Sequence, residues 1–196
     1  GFVMPEVDGS YTLTAADFVV AGMPYDTFAA AYDAAADGAT IEVYTDFEAS
    51  EIITIEKSVT IDGNGHTLTS TAGRAINIDT TGNVVIKDLT IVAKGERAVN
   101  IINQASTVTL DNVTASAKNY AVMVATSAAG ANLTVNDSDL TGLIVVNVAA
   151  PNADVEINGT NITNVDATDI EDYGAISTFK TATGATVTVN GGKVVV

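Results

Sequence analysis

Val84-Val85-Ile86-Lys87-Asp88-Leu89-Thr90 and, twenty-four residues on, Val108-Thr109-Leu110-Asp111-Asn112-Val113-Thr114 follow one plan. Each runs apolar, any residue, apolar, then Asn, Asp or Gly within two residues, then a second apolar–threonine step. The opening recurs at Val59-Thr60-Ile61-Asp62, Leu133-Thr134-Val135-Asn136, Val155-Glu156-Ile157-Asn158 and Val187-Thr188-Val189-Asn190. Its second apolar position falls at 61, 86, 110, 135, 157 and 189, in steps of 25, 24, 25, 22 and 32 residues. A second column follows each opening: Leu68, Leu89-Thr90, Val113-Thr114, Leu140-Thr141 and Ile162-Thr163. A third reads Ala75-Ile76-Asn77-Ile78, Ala98-Val99-Asn100-Ile101 and Ala121-Val122-Met123-Val124, and continues loosely at Ile144–Val148 and Ala175–Ile176.

Short alternating segments rich in Val, Ile and Thr, separated by turn residues, are strands. One such repeat cannot bury its apolar face alone, whereas stacked repeats close a continuous core. Three strands per repeat predict an all-β parallel β-helix, a solenoid of about six coils of 22–25 residues. Period two turns Ile61, Ile86, Leu110, Val135, Ile157 and Val189 inward and leaves Thr60, Val85, Thr109, Thr134, Glu156 and Thr188 outside. The Asx and Gly positions after the first strand suit a bend that needs a left-handed residue. The 32-residue step implies an insertion at Val165-Asp166-Ala167-Thr168-Asp169-Ile170-Glu171-Asp172-Tyr173, expected to protrude as a loop.

An open solenoid end exposes core side chains and strand edges. Residues 1–38 are expected to form an N-terminal strand and a capping helix, and residues 39–196 the solenoid. The helix is predicted over Asp26 to Asp37, with Asp26 as N-cap, Phe28, Ala31, Tyr32 and Ala35 on one face and Gly38 as the stop. Lys193-Val194-Val195-Val196 has no evident cap, so it is expected to be a final strand or to lead into further chain.

Acids outnumber bases 24 to 8, for a formal charge of −16. Eleven of the acids, and no Lys or Arg, lie in residues 1–56. Phosphate binding needs cations, so nucleic acid is excluded as a partner class. There is no cysteine, which removes disulfides, thiolate metal sites and thiol nucleophiles. No apolar run approaches the ~20 residues that span a bilayer, so no membrane insertion is expected. The chain opens at Gly1 without a basic leader, as a mature or excised fragment would.

The stretch from Tyr25 to Leu68 resembles the opening of pectin-lyase-like right-handed parallel β-helices. It runs helix, Asp37-Gly38-Ala39-Thr40-Ile41, an apolar strand, then Val59-Thr60-Ile61-Asp62-Gly63-Asn64-Gly65-His66-Thr67-Leu68. Similar segments occur in bacterial and some archaeal secreted surface proteins described as adhesin-like. The resemblance implies a right-handed coil and an extracellular or cell-surface setting. It is weak about activity, because this fold hosts lyases, hydrolases and plain adhesins.

Lyases of the fold pair a calcium-binding carboxylate cluster with an Arg or Lys base. Arg74 and Arg97 align by a step of 23 and could lie over a groove, with Asp62, Asp88, Asp111 and Asp137 as a carboxylate row. The plainer reading is a solvated Arg pair beside an Asx ladder that satisfies turn amides. His66 is the single histidine and reads as a half-exposed turn residue. Second-column threonines at 90, 114, 141 and 163 suggest a flat threonine row, which strand propensity alone explains. There is no Trp, and beyond Phe47 only Tyr120, Tyr173 and Phe179 are aromatic. A long sugar platform is disfavoured, and a small site near these three is not.

These readings converge on a non-catalytic extracellular surface domain for adhesion, spacing or recognition of a glycan or protein partner, flanked by other domains. The alternative is a polysaccharide-active lyase or hydrolase; no catalytic residue is singled out. The candidate ligand-binding residues are Asp166, Asp169, Glu171, Asp172 and Tyr173. Four acids in seven residues offer hard oxygen ligands that could hold Ca²⁺, but their spacing does not match an EF-hand and the plainer reading is a solvated acidic loop; no other cofactor is expected.

Overall fold

In the computed structural model, residues 16–165 and 174–196 are described, together with the backbone of four two-residue strands, Phe2–Val3, Glu6–Val7, Ser10–Tyr11 and Thr14–Ala15. The chain is a parallel β-solenoid with three sheets. The first stacks Ala39–Val43, Val59–Asp62, Asn83–Lys87, Thr107–Asp111, Asn132–Asn136, Asp154–Asn158 and Thr186–Asn190. The second stacks Phe47–Ala49, Thr67–Ser70, Thr90–Ala93, Thr114–Ser116, Asp139–Gly142, Asn161–Asn164 and Lys193–Val195. The third holds six strands: Ile53–Ile55, Arg74–Ile78, Arg97–Ile101, Tyr120–Val124, Val146–Val148 and Ile176–Thr178. First to last, those six strands close five turns, one fewer than the expected six coils, because the final repeat supplies strands only to the first two sheets.

Between the first and second sheets each coil bends at a left-handed residue. Asp88, Asn112 and Asp137 have φ of 50°, 52° and 45°, and Gly159 has 60°. Asn and Asp tolerate this region because their short polar side chains bond locally. Each of these residues donates its backbone N–H to the first-sheet strand of the next coil: Asp88 to Asp111, Asn112 to Asn136, Asp137 to Asn158 and Gly159 to Asn190. The bend is therefore itself a rung of the ladder. In the coil of residues 59–78 the bend is longer, with Asn64 and Gly65 at φ of 48° and 81°. A Cβ on Gly63 there would come within 2.4 Å of the Asp88 carbonyl oxygen, so no larger residue fits.

The inward column is as expected through five coils: Ile61, Ile86, Leu110, Val135 and Ile157 are buried in register. Val189 is the exception. It stacks on Ile157 but is 44% exposed, because no described strand pairs on its far side. The second column is offset from its expected alignment. Leu68 pairs with Ile91 and then Ala115, whereas Leu89 and Val113 lie in the bends, buried at the corner between sheets. The expected threonine row therefore divides: Thr67, Thr90 and Thr114 form one line, Thr141 and Thr163 another.

At the N-terminal end the first sheet is extended by antiparallel strands Phe18–Val20 and Met23–Tyr25. The helix spans Phe28–Ala34, shorter than predicted. Its N-cap is Thr27, not Asp26, with the Thr27 hydroxyl accepting from the Ala30 N–H at 3.2 Å. It stops at Ala35, whose backbone turns extended, and Gly38 instead serves the bend into Ala39–Val43. The expected face is the buried one: Phe28, Ala31 and Ala35 face the core, and Tyr32 packs against it. Lys57, the first base in the chain, closes this cap. Its Nζ donates to the Tyr32 and Ala35 carbonyls at 2.6 Å each and lies 4.4 Å from the Tyr32 ring centroid. A cation is the natural partner for carbonyls at a helix C-terminus. Among the described residues no helix is long and apolar enough to cross a membrane.

Two consequences are measurable by urea unfolding. Leu110→Asp buries an unpaired charge between two filled coils and should remove about 4 kcal/mol of stability, seen as a much lower denaturation midpoint. Lys57→Met keeps the aliphatic stem but orphans two carbonyls and should cost about 1–2 kcal/mol.

Candidate functional site

The outer face of the third sheet carries the polar groups that the core cannot use. Register places Arg74, Arg97 and Tyr120 in one row across three successive strands. A parallel row holds Asn77, Asn100, Met123, Asn147 and Ser177. Asn100 is fully buried and donates its Nδ2 to Asn77 Oδ1 at 2.8 Å. Arg97 reaches back along its own strand and donates Nη1 to Asn100 Oδ1 at 3.0 Å. Its guanidinium carbon lies 5.4 Å from the Tyr120 ring centroid, within cation–π range. Burial, reinforced by Arg74, holds the Arg97 guanidinium below its ordinary value, while Glu96 and Tyr120 oppose the shift. Arginine starts so high that it keeps its charge at neutral pH.

The ladder of amides ends at Met123, which has no amide to pass on. Asn147, between Met123 and Ser177, is fully buried, and among the described residues neither its Oδ1 nor its Nδ2 has a hydrogen-bond partner. Arg97 Nε is likewise buried and unpaired. Such atoms are rare in folded chains because each costs its lost hydration. A cavity of about 270 Å³, bounded by Asn119, Tyr120, Leu143, Ile144 and Phe179, shares Tyr120 with the Arg97 contact. Phe179 is 42% exposed, a large apolar group left partly in water. Two of the three late aromatics thus border one hollow although 59 positions separate them in sequence.

The third late aromatic, Tyr173, and the other candidate ligands Asp166, Asp169, Glu171 and Asp172 lie outside the described residues. Their flanks are defined: the residues in excess of the usual repeat fall between Asn164 and Ile176, at the passage from the second sheet to the third. The carboxylate row has structural employment at the opposite bend. Asp62 pairs with Lys87 Nζ at 2.5 Å and holds that ammonium above the usual lysine value. Asp88 accepts from Asn112 Nδ2 at 2.6 Å. The Arg pair lies on the third sheet and these acids at the end of the first, so they do not meet around one substrate. Among the described residues no three His, Asp or Glu side chains gather as a cation cage, and the calcium cluster of the fold's lyases does not fit there. His66 is a turn residue, its Nδ1 lying 3.3 Å from Asp46 Oδ1.

A sequence profile of the pectate lyase-like adhesive domain matches residues 23–123, just over half of the chain. The chain belongs to this adhesive-domain family. No curated protein and no solved structure matches it. The matched span contains the capping helix, the first three full coils and the Arg97–Asn100–Tyr120 group; Phe18–Val20, Asn147 and Phe179 lie outside it.

The asparagine row was overlooked in the sequence, though Ile76-Asn77-Ile78 and Val99-Asn100-Ile101 carry it openly. A polar residue at one repeated outward position reads as ordinary solvent exposure until burial is known. Replacing Asn147 by Val removes the unpaired amide and suits a strand, so it should raise stability by about 1 kcal/mol, seen as a higher denaturation midpoint.

Proposed function

We propose that this adhesive domain works outside the cell as a non-catalytic module that holds a glycan on the outer face of its third sheet. The observation that carries the reading is the hollow bounded by Tyr120 and Phe179, with the Arg97 guanidinium held against the Tyr120 ring. Guanidinium and amide groups are directional donors to hydroxyls and carboxylates, and aromatic rings cover the apolar face of a sugar.

Against the lyase or hydrolase alternative, Arg97 is already committed to Asn100 and Tyr120 and lies apart from the carboxylates. Asp166, Asp169, Glu171, Asp172 and Tyr173 are proposed, on their chemistry alone, as a further contact that could recruit Ca²⁺.

Binding to a panel of immobilised neutral and acidic polysaccharides tests the reading. At least one should retain the protein, with Arg97→Ala and Tyr120→Ala each weakening retention tenfold or more and chelator reporting any calcium share. No unsaturated or reducing-end product should accumulate. Turnover lost in Arg97→Ala would establish the enzyme alternative, and unchanged retention in both variants would move the contact elsewhere.

A further inference from the structure

We propose that the cleft beside the capping helix receives a basic side chain carried on an apolar segment of a partner protein. The proposal stands independently of the third-sheet face. The cleft lies between the helix and the passage from the second to the third sheet in the first coil, and its volume of about 450 Å³ is ligand-sized. Its wall is aromatic. Phe28 stacks on Phe47 at 5.6 Å and 6°, and on Tyr32 at 6.3 Å and 10°. Ile52, 40% exposed, stands at the edge as a second apolar group left in water.

Four carboxylates line the same cleft: Asp26 and Asp33 on the helix side, Glu48 and Glu51 on the sheet side, all exposed. No Lys or Arg precedes Lys57, and Lys57 is committed to the helix carbonyls, so no cation lines the cleft. Aromatic ring faces and carboxylates both attract a cation, while the apolar wall rewards burial of an aliphatic stem. Lys57 shows the first half of that recognition within the chain, its ammonium held over Tyr32.

Charge selects the occupant. Phe28 stacks on both Tyr32 and Phe47, and the four surrounding carboxylates favour a cation over a neutral sugar. A second copy of this chain brings the same charge of −16 and is repelled. A partner with lysine or arginine beside leucine-like residues satisfies wall and rim together.

The test is calorimetric titration with a capped pentapeptide alternating leucine and lysine, against a twin carrying glutamine for lysine. The lysine peptide should bind and the glutamine twin at least tenfold more weakly, with affinity falling as NaCl is raised. Glu48→Gln with Glu51→Gln should reduce lysine-peptide affinity tenfold or more. Asp111→Asn with Glu156→Gln removes the same charge far from the cleft and should change it less than twofold. Arg97→Ala should bind the peptide normally, which separates this site from the glycan face. Absence of peptide binding, equal binding of the twin, or equal losses in the two charge-removal pairs would each overturn the proposal.

Discussion

Four successive coils, from residue 83 to residue 164, depend on bending at the same place, on one left-handed residue whose N–H also bonds to the coil above. Asp88, Asn112, Asp137 and Gly159 occupy that position in succession. A bend displaced by one residue would turn the following strand's apolar side chains outward, because side chains alternate with period two. The core columns of Ile86, Leu110, Val135 and Ile157 are therefore a consequence of the bend as much as of hydrophobicity. The acids at this corner are used by it: Asp62 by Lys87 and Asp88 by Asn112, which leaves them poorly placed for chemistry elsewhere.

The two ends of the stack resolve the edge problem differently. At the N-terminal end, antiparallel strands pair the first sheet, while a short helix with aromatic residues on its inner face lies against the core. Lys57 joins that helix to the coil beneath it through two carbonyls and a ring. At the other end Val189, Val194 and Val195 remain exposed, each in register on the coil below. The stack is directional, with its aromatic and acidic groups concentrated at one end.

The repeat is imperfect along the third sheet. Asn77 and Asn100 satisfy one another, but Met123 interrupts the row and strands the Asn147 amide. A perfect amide ladder would be purely structural; a broken one holds polar groups that stay buried and unpaid within the protein. The same logic makes the Arg97–Tyr120 pair a more informative feature than the many surface carboxylates, whose number alone says little about recognition.

Much of the fold was legible in the sequence because a solenoid repeats its instructions. Steps near 24 residues, Asx at the bend and alternation within strands together determined three parallel sheets and the inward column. The helix face was legible too, since 3.6-residue periodicity marks it. Boundaries were less so: Thr27 and Asp26 are equally good caps by chemistry, and only the surrounding packing chose between them. Leu89 and Val113 were equally apolar in bend or strand, so their place was decided by the corner they fill. What only the tertiary structure decided was solvent access. Asn147 and Phe179 look commonplace in the chain; stacking buries the first without a partner and brings the second beside Tyr120, because neighbours in a solenoid are one coil apart in space and more than twenty residues apart in sequence.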